Sequence, residues 1–285
     1  MHYSSIDLDR LMTTVRPIAW GAMKILHGFY QGDIEEIEKG DGPVTKADLA
    51  ANHYLLEHLQ TLPDSESFGF LSEETHSGTT ALPQDWVWII DPLDGTRDFI
   101  DQTGEYALHI ALCYQQHPVL ALVGIPESHK LYFAVKDRGC FVETADGQVQ
   151  PLTVASPNPE ALTLVVSRTH RDQRFQDLID RMPFRDRHYV GSVGCKIVAI
   201  VEQQADVYIS LSGKSAAKDW DFAAPELILT EAGGAFSYFD GTPVTYNRGD
   251  VRQWGGILAS NGSLQSSLCA TATQILNELD QEAQC

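Results

Sequence analysis

The chain has 285 residues, of which 43% are hydrophobic and 9% aromatic, which suits one large domain or two intimate ones with a substantial core. Its formal net charge is −19. That argues against binding a nucleic acid polymer through a basic surface and against docking on an anionic membrane face, but it leaves room for a small phosphate ligand if metal ions supply positive charge.

The five cysteines, Cys113, Cys140, Cys195, Cys269 and Cys285, form no CxxC pair and are odd in number. The pattern predicts neither a disulfide framework nor a zinc site, and a reducing cytoplasm is the expected compartment. The N-terminal stretch MHYSSIDLDR lacks an apolar signal core, and no uninterrupted apolar run is long enough to span a bilayer. A soluble intracellular protein is expected.

Along the chain, Ile6, Leu8, Leu11, Met12, Val15, Ile18, Ala19, Ile25, Leu26 and Phe29 recur at helical spacing and predict a long amphipathic helix. DIEEIEKGDG follows as an acidic, glycine-punctuated loop. PVTKADLAANHYLLEHLQTL reads as a second helix, with Thr45 at its start and Asp48 three residues on as a capping box. From Phe68 the pattern changes to strands. FGFLSEE is a short strand running into two glutamates, and WVWIID is a near-continuous apolar strand, buried on both faces. YALHIALCY, VLALVGIP, KLYFAVK and GCFVET predict an antiparallel meander. VASPNPEA reads as the joint between an N-terminal α+β part, residues 1–155, and a C-terminal α/β part, residues 156–285. In the latter, TLVVS (strand), RFQDLIDRM and GCKIVAIVEQQ (helices), DVYIS (strand), DFAAPELILTEAGG (helix) and AFSYF (strand) alternate.

The stretch WVWIIDPLDGTRDFI raises a chemical question, because a buried strand ends in Asp91, Asp94 and Asp98. A strand ending in Asp91 presents that carboxylate at the carboxyl edge of a sheet, where α/β proteins place ligands. Carboxylates crowded there repel one another unless a cation neutralises them or one stays protonated. Oxygen ligands with no histidine or cysteine nearby favour Mg²⁺ over zinc. A lone DxxD is more often a solvated, helix-capping loop. Here Glu73 and Glu74 also end a strand, Asp221 starts a helix after Trp220, and Asp48 adds a fourth acidic stretch at an element boundary. Gly95 and Thr96 open a short helix whose free N–H groups suit an anion. The chemistry that fits is metal-assisted hydrolysis of a phosphate ester, with one ion activating a water and a second stabilising the leaving oxygen.

DPLDGTRDF resembles the DP(I/L)DGT motif of the lithium-sensitive, magnesium-dependent phosphatases of the inositol monophosphatase superfamily. PVTKAD, FLSEE, DPLDGT and WDFAAPELILTEAGG follow the family's order and spacing, so the resemblance runs from about residue 40 to 260. It implies a layered αβαβα sandwich of the inositol monophosphatase and fructose-1,6-bisphosphatase type, with the site between its two parts. It implies two or three Mg²⁺ ions. Glu73, Asp91 and the Leu93 carbonyl would hold the first; Asp91, bridging, with Asp94 and Asp221 would hold the second. Thr96 and Asp48 would orient and deprotonate the attacking water, with Glu73 counted among the catalytic groups, and Gly95 and Thr96 would bind phosphate through backbone amides. Glu74 would support these ligands or hold a third ion. Ser72 replaces the usual glycine before the paired glutamates.

Within the family, DGTRDFIDQTGEYALHIAL, VVSRTHRD and GSVGCK resemble bisphosphate nucleotidases of the CysQ type. On that resemblance Arg168, His170, Ser192, Lys196 and Lys218 line a pocket for adenosine and a second phosphate. The implied reaction removes the 3′-phosphate of 3′-phosphoadenosine 5′-phosphate, or of its sulfated analogue, to give AMP. The alternatives are an inositol monophosphatase, with or without fructose-1,6-bisphosphatase activity, and a non-catalytic regulator that binds metal or phosphate. The expected partner is a small phosphorylated substrate, with no nucleic acid polymer and no membrane, and the oligomeric state is left open. Taken singly, His170 in a polar turn reads as solvated, Cys195 as a small buried filler, and Trp86, Trp88 and Trp220 as packing residues.

Overall fold

The computed structural model describes residues 6–32, 34–39, 42–168 and 172–283. In chain order the elements are α1 (Leu8–Tyr30), β1 (Glu36–Lys39), β2 (Gly42–Thr45), α2 (Lys46–Leu59), β3 (Phe68–Ser72), β4 (Trp86–Asp94), α3 (Thr96–Ile100), β5 (Ala107–Tyr114), β6 (His117–Ile125), β7 (Lys130–Val135), β8 (Gly139–Thr144) and β9 (Val149–Leu152). They continue as β10 (Leu162–Ser167), α4 (Gln173–Arg181), β11 (Phe184–Val190), α5 (Val193–Val201), β12 (Val207–Leu211), α6 (Asp219–Glu231), β13 (Ala235–Tyr238), β14 (Gly256–Ser260) and α7 (Gln265–Glu282).

Strands β3 to β9 lie in sequence order in a seven-stranded sheet, and the other large sheet runs β11-β10-β12-β14-β13. The first pair, β3 and β4, is parallel, and every later pair in the larger sheet is antiparallel, as a meander requires.

Side-chain alternation builds the layers. Along β4, Trp86, Trp88 and Ile90 share a core with Leu11, Val15, Leu26 and Leu55 of α1 and α2. Val87 and Ile89 point the other way and pack with Ile197 of α5 and Phe222, Leu227 and Ile228 of α6. All nine residues of β4 are buried because both faces are covered. The same central core takes in Val165, Tyr208, Phe236 and Ile257 from the smaller sheet. The far face of that sheet is closed by α4 and α7 through Phe175, Leu178, Leu268 and Ile275. The order is helix, sheet, helix, sheet, helix: the expected αβαβα sandwich. Because α6 lies between two sheets, apolar residues cover it on all sides.

Local rules set the ends of the helices that matter for the site. Thr45 caps α2: its hydroxyl accepts from Ala47 N–H at 3.1 Å, and the Asp48 carboxylate accepts from Thr45 N–H at 2.8 Å. Ser192 caps α5, its Oγ accepting from Cys195 N–H at 2.9 Å.

The structure departs from the sequence expectation in two ways. The acidic stretch before α2 includes a two-stranded hairpin, β1 with β2, rather than a loop alone. Strands β11 and β14 and helix α7 complete the C-terminal part. Among the described residues no helix is long and apolar enough to cross a membrane.

Candidate active site

The site forms where β4 ends. The ladder with β5 is irregular between Asp91 and Asp94, which lets the chain turn back on itself after Pro92. Leu93 N–H donates to Asp91 Oδ1 at 3.0 Å, holding that carboxylate in place. Gly95 then takes a left-handed conformation, φ +89°, and a Cβ there would lie 3.1 Å from both the Glu105 carbonyl oxygen and Ser192 Cβ. Only glycine fits the turn that starts α3.

Three other segments converge on this turn. Glu73 follows β3, and its N–H donates to the Ile90 carbonyl at 3.2 Å, seating it beside β4. Asp48 projects from the first turn of α2, and Thr96 Oγ1 lies 3.2 Å from both Asp48 Oδ1 and the Leu93 carbonyl. Asp221, in the first turn of α6, accepts from Lys218 N–H at 2.7 Å. Asp91, Asp94 and Asp221 each bring one oxygen within 4.8 Å of the others, a spacing that can hold a metal ion.

The electrostatics follow from crowding acids in a dry place. Burial, then repulsion from Glu73, Asp94 and Asp221, drives the Asp91 carboxyl well above the usual carboxylate range. Burial, then Asp94 and Glu73, pushes Asp221 up to about 8. Burial pushes Glu73 up to about 7 against the pull of Lys218, whose Nζ is 3.9 Å from Glu73 Oε1. Burial raises Asp48 to about 6 although the bonds from Thr45 oppose it. One ammonium cannot offset this concentration of charge. The donors are carboxylate oxygens and a backbone carbonyl, with no thiolate among them, and that set fits hard divalent cations such as Mg²⁺.

The residues expected to line a nucleotide pocket fare differently. His170 lies outside the described residues. Lys218 stands at the carboxylate cluster, its ammonium 3.9 Å from Glu73 Oε1 and 5.2 Å from the Trp220 ring centroid. Arg168 is held by acids: its Nη2 bonds the Glu105 carboxylate, its Nε lies 3.7 Å from Asp98 Oδ1, and Nη2 also donates to the Tyr189 carbonyl at 3.1 Å. Ser192 is buried and spends its hydroxyl on the cap of α5.

Lys196 requires a correction. It is not an open cation facing a ligand. Its side chain is 2% exposed and turns inward, where Nζ donates to the carbonyls of Gly191 and, at 3.1 Å, Ser192. Nearly every position of α5 is buried, so a lysine in its first turn finds backbone carbonyls before it finds water. Burial accordingly pulls its pKa down.

Three contributors escaped the sequence reading. Glu105 accepts from Gly191 N–H at 2.7 Å and ties the start of α5 to the loop after α3. Gly194 N–H donates to Asp94 Oδ2 at 3.0 Å. His109, fully buried on β5, lies behind the same carboxylate. A lone imidazole inside the apolar run YALHIALCY was the available signal for the last.

A sequence profile of the inositol monophosphatase family matches residues 7–277. The chain is 32% identical over 246 residues to the 3′(2′),5′-bisphosphate nucleotidase CysQ of Haemophilus influenzae, covering 84% of this chain and 88% of that protein. It is 33% identical over 207 residues to the 3′-phosphoadenosine 5′-phosphate phosphatase of Mycobacterium bovis, covering 71% and 72%. Among solved structures, CysQ from Bacteroides thetaiotaomicron superposes with a TM-score of 0.74 at 26% identity, covering 88% of this chain and 97% of that one. The extragenic suppressor protein SuhB of Bartonella henselae gives a TM-score of 0.77 at 21% identity over 92% and 98% of the two chains, a likeness of fold. The carboxylate cluster thus sits in a known scaffold, and the chain belongs to the inositol monophosphatase family.

Proposed function

We propose that this chain is a magnesium-dependent phosphatase that removes the 3′-phosphate of 3′-phosphoadenosine 5′-phosphate. One observation carries the reading: the Asp91, Asp94 and Asp221 cluster adjoins the Asp48–Thr96 pair at the start of α3. Relatives named as bisphosphate nucleotidases, about 30% identical over most of the chain, support the substrate class.

On this reading Glu73, Asp91 and the Leu93 carbonyl hold one cation, and Asp91, Asp94 and Asp221 hold another, with Glu74 supporting the first. Those cations supply charge stabilisation for the phosphoryl group and its leaving oxygen. The protein's own residues do the rest. Gly95 and Thr96 present backbone N–H groups to the phosphate from the first turn of α3. Thr96 Oγ1 orients the attacking water, and Asp48, raised towards neutrality by burial, accepts the proton through the Thr96 hydroxyl. Arg168 faces the remainder of the substrate, while Lys218 stays beside Glu73 and the Ser192 hydroxyl is spent on the cap of α5.

A second reading, hydrolysis of inositol 1-phosphate, gains from the position of Lys196. With that ammonium bonded to backbone carbonyls, the charge available for a 5′-phosphate rests on Arg168, already engaged with Glu105 and Asp98. The distinguishing test is product analysis. Incubation of 3′-phosphoadenosine 5′-phosphate with the protein and Mg²⁺ is expected to yield 5′-AMP and phosphate, and chelation of Mg²⁺ is expected to abolish it. Absence of phosphate release from this nucleotide, with release from inositol 1-phosphate, contradicts the first reading and supports the second.

A further inference from the structure

Residues 245–253 belong to no helix or strand, yet Gln253 among them is 2% exposed. Its amide is saturated. Nε2 donates to Asp219 Oδ1 at 2.6 Å and to the Thr245 carbonyl at 3.0 Å. Oε1 accepts from the Tyr238 hydroxyl and, at 3.1 Å, from Arg248 Nη2. A carboxamide has two N–H donors and two acceptor lone pairs, so every position is used. The reversed amide would set its oxygen against a carboxylate and a carbonyl, and its NH₂ against a guanidinium that cannot accept. Only one orientation fits. Nothing in the proposed chemistry uses this buried glutamine, so its full set of partners needs another explanation.

Its partners at the start of α6 supply one. Asp219 is 0% exposed, and its second carboxylate oxygen, Oδ2, accepts from Asn247 N–H at 2.7 Å. The main chain adds two bonds. Asp219 N–H donates to the Val251 carbonyl and Gln253 N–H to the Ala217 carbonyl, each at 2.8 Å, which makes an antiparallel bridge that pairs Lys218 with Arg252. The stretch from Ala217 to Asp219 is therefore held through both its main chain and a side chain. Lys218 lies inside that bridge, and its N–H is the donor to Asp221 Oδ2 at 2.7 Å. The direction of that N–H sets the direction of a carboxylate in the cluster.

Asp221 stands close to Asp91 and Asp94, and like charges push it outward unless its donor is fixed. Resting on the reading of Asp221 as a cation ligand, we infer that Gln253 is a positioning residue. By locking the bridge at the start of α6 it fixes the Lys218 N–H, and with it the Asp221 carboxylate. It touches neither substrate nor cation; it acts through Asp219 and the Ala217–Asp219 main chain. The far end of α6 offers a control. There Glu231 accepts from the N–H groups of Asp137, Arg138 and Gly139 at 3.0, 3.1 and 2.9 Å. Glu231→Gln therefore loosens the same helix at the end remote from Asp221.

The test is direct Mg²⁺ binding to metal-freed full-length protein by calorimetry, with melting temperature measured in parallel. Gln253→Met keeps the length of the side chain and removes all four of its hydrogen bonds. It is expected to weaken Mg²⁺ binding by about tenfold, the low end of what contacts behind a metal ligand contribute. Both Gln253→Met and Glu231→Gln are expected to melt below the parent, but Glu231→Gln is expected to bind Mg²⁺ as the parent does. Parent-like Mg²⁺ affinity in Gln253→Met overturns the inference, as does an equal loss of affinity in Glu231→Gln. If Gln253→Met does not fold, Asp219→Asn takes its place and the same two outcomes decide. That variant can still accept from Asn247 N–H but turns an NH₂ toward the Gln253 nitrogen. A parent protein with no saturable Mg²⁺ binding overturns the metal-site reading itself and this inference with it. That outcome is distinct from a parent that binds well and a Gln253→Met variant that binds equally well.

Discussion

Thr96 Oγ1 lies 3.2 Å from Asp48 Oδ1 and joins the first turns of α2 and α3, which are 48 positions apart in the chain. Asp48 divides its oxygens between two tasks. Oδ2 accepts from the Thr45 backbone and hydroxyl, closing the cap of α2, and Oδ1 faces Thr96. A residue that holds a helix end is thereby fixed in direction toward the site.

Replacing Thr96 by Val keeps the branched shape and removes the hydroxyl link. We expect kcat to fall by about 10²–10⁴-fold, the usual contribution of a positioned acid–base group, with KM and the melting temperature little changed. Steady-state kinetics and a thermal melt check this; a kcat within a few-fold of the parent would remove Thr96 from the proton path.

Asp94→Asn preserves shape and removes one charge from the cluster. We expect a kcat loss of at least about a hundredfold with the fold retained, since charge stabilisation by held cations contributes several kcal/mol. The half-saturating Mg²⁺ concentration should also rise. Near-normal turnover at low Mg²⁺ would sink the ligand assignment.

The raised carboxyls make a prediction about pH. Folded-state pKa values of about 7 for Glu73 and about 8 for Asp221, and a strongly raised Asp91, mean that the native state binds more protons than the unfolded chain above about pH 4. Their stabilising share is full below the unfolded values and is lost as pH rises through the folded ones. Metal-free protein should therefore melt at a lower temperature at pH 8 than at pH 5. Mg²⁺ should raise the melting temperature more at pH 8, where fewer protons compete. Asp219, raised to about 6, and Glu226, raised to about 7, are buried away from the cluster and add a slope of the same sign; Mg²⁺ will leave that part untouched. A Mg²⁺ effect larger at pH 5 than at pH 8 contradicts the account.

Much of the site was legible because its chemistry needs particular groups at element ends. Thr45 and Asp48 announced a helix start, and Asp91, Asp94 and Asp221 announced oxygen donors at boundaries. The near-continuous apolar run of β4 announced a strand buried on both faces. What escaped was set by tertiary context. FRDRHYV forms edge strand β11 with most of its side chains partly or fully exposed, so hydrophobic patterning has nothing to register. The stripe Leu268, Cys269, Ala272 and Ile275 does show helical spacing, and α7 could have been read from it. Lys196 entered the expected pocket on resemblance alone, and the sequence did not show that α5 is enclosed on nearly every side.

That enclosure changes what Lys196→Ala should do. Truncation leaves the Gly191 and Ser192 carbonyls without their ammonium donor and opens space beside the Tyr208 ring, 5.7 Å from Nζ. We expect a stability loss of about 1–3 kcal/mol and similar losses of activity on a nucleotide and an inositol phosphate, read from urea melts and paired assays. A rise in KM confined to the nucleotide, with stability intact, would restore Lys196 as a substrate contact.

The central claim is the substrate, and a phosphate-release comparison tests it most directly. The unmodified protein is assayed with Mg²⁺ on 3′-phosphoadenosine 5′-phosphate, inositol 1-phosphate and fructose 1,6-bisphosphate at equal concentration. The account predicts the highest kcat/KM on the adenosine bisphosphate, with 5′-AMP as product. A higher kcat/KM on inositol 1-phosphate, or no Mg²⁺-dependent release from any of the three, contradicts it.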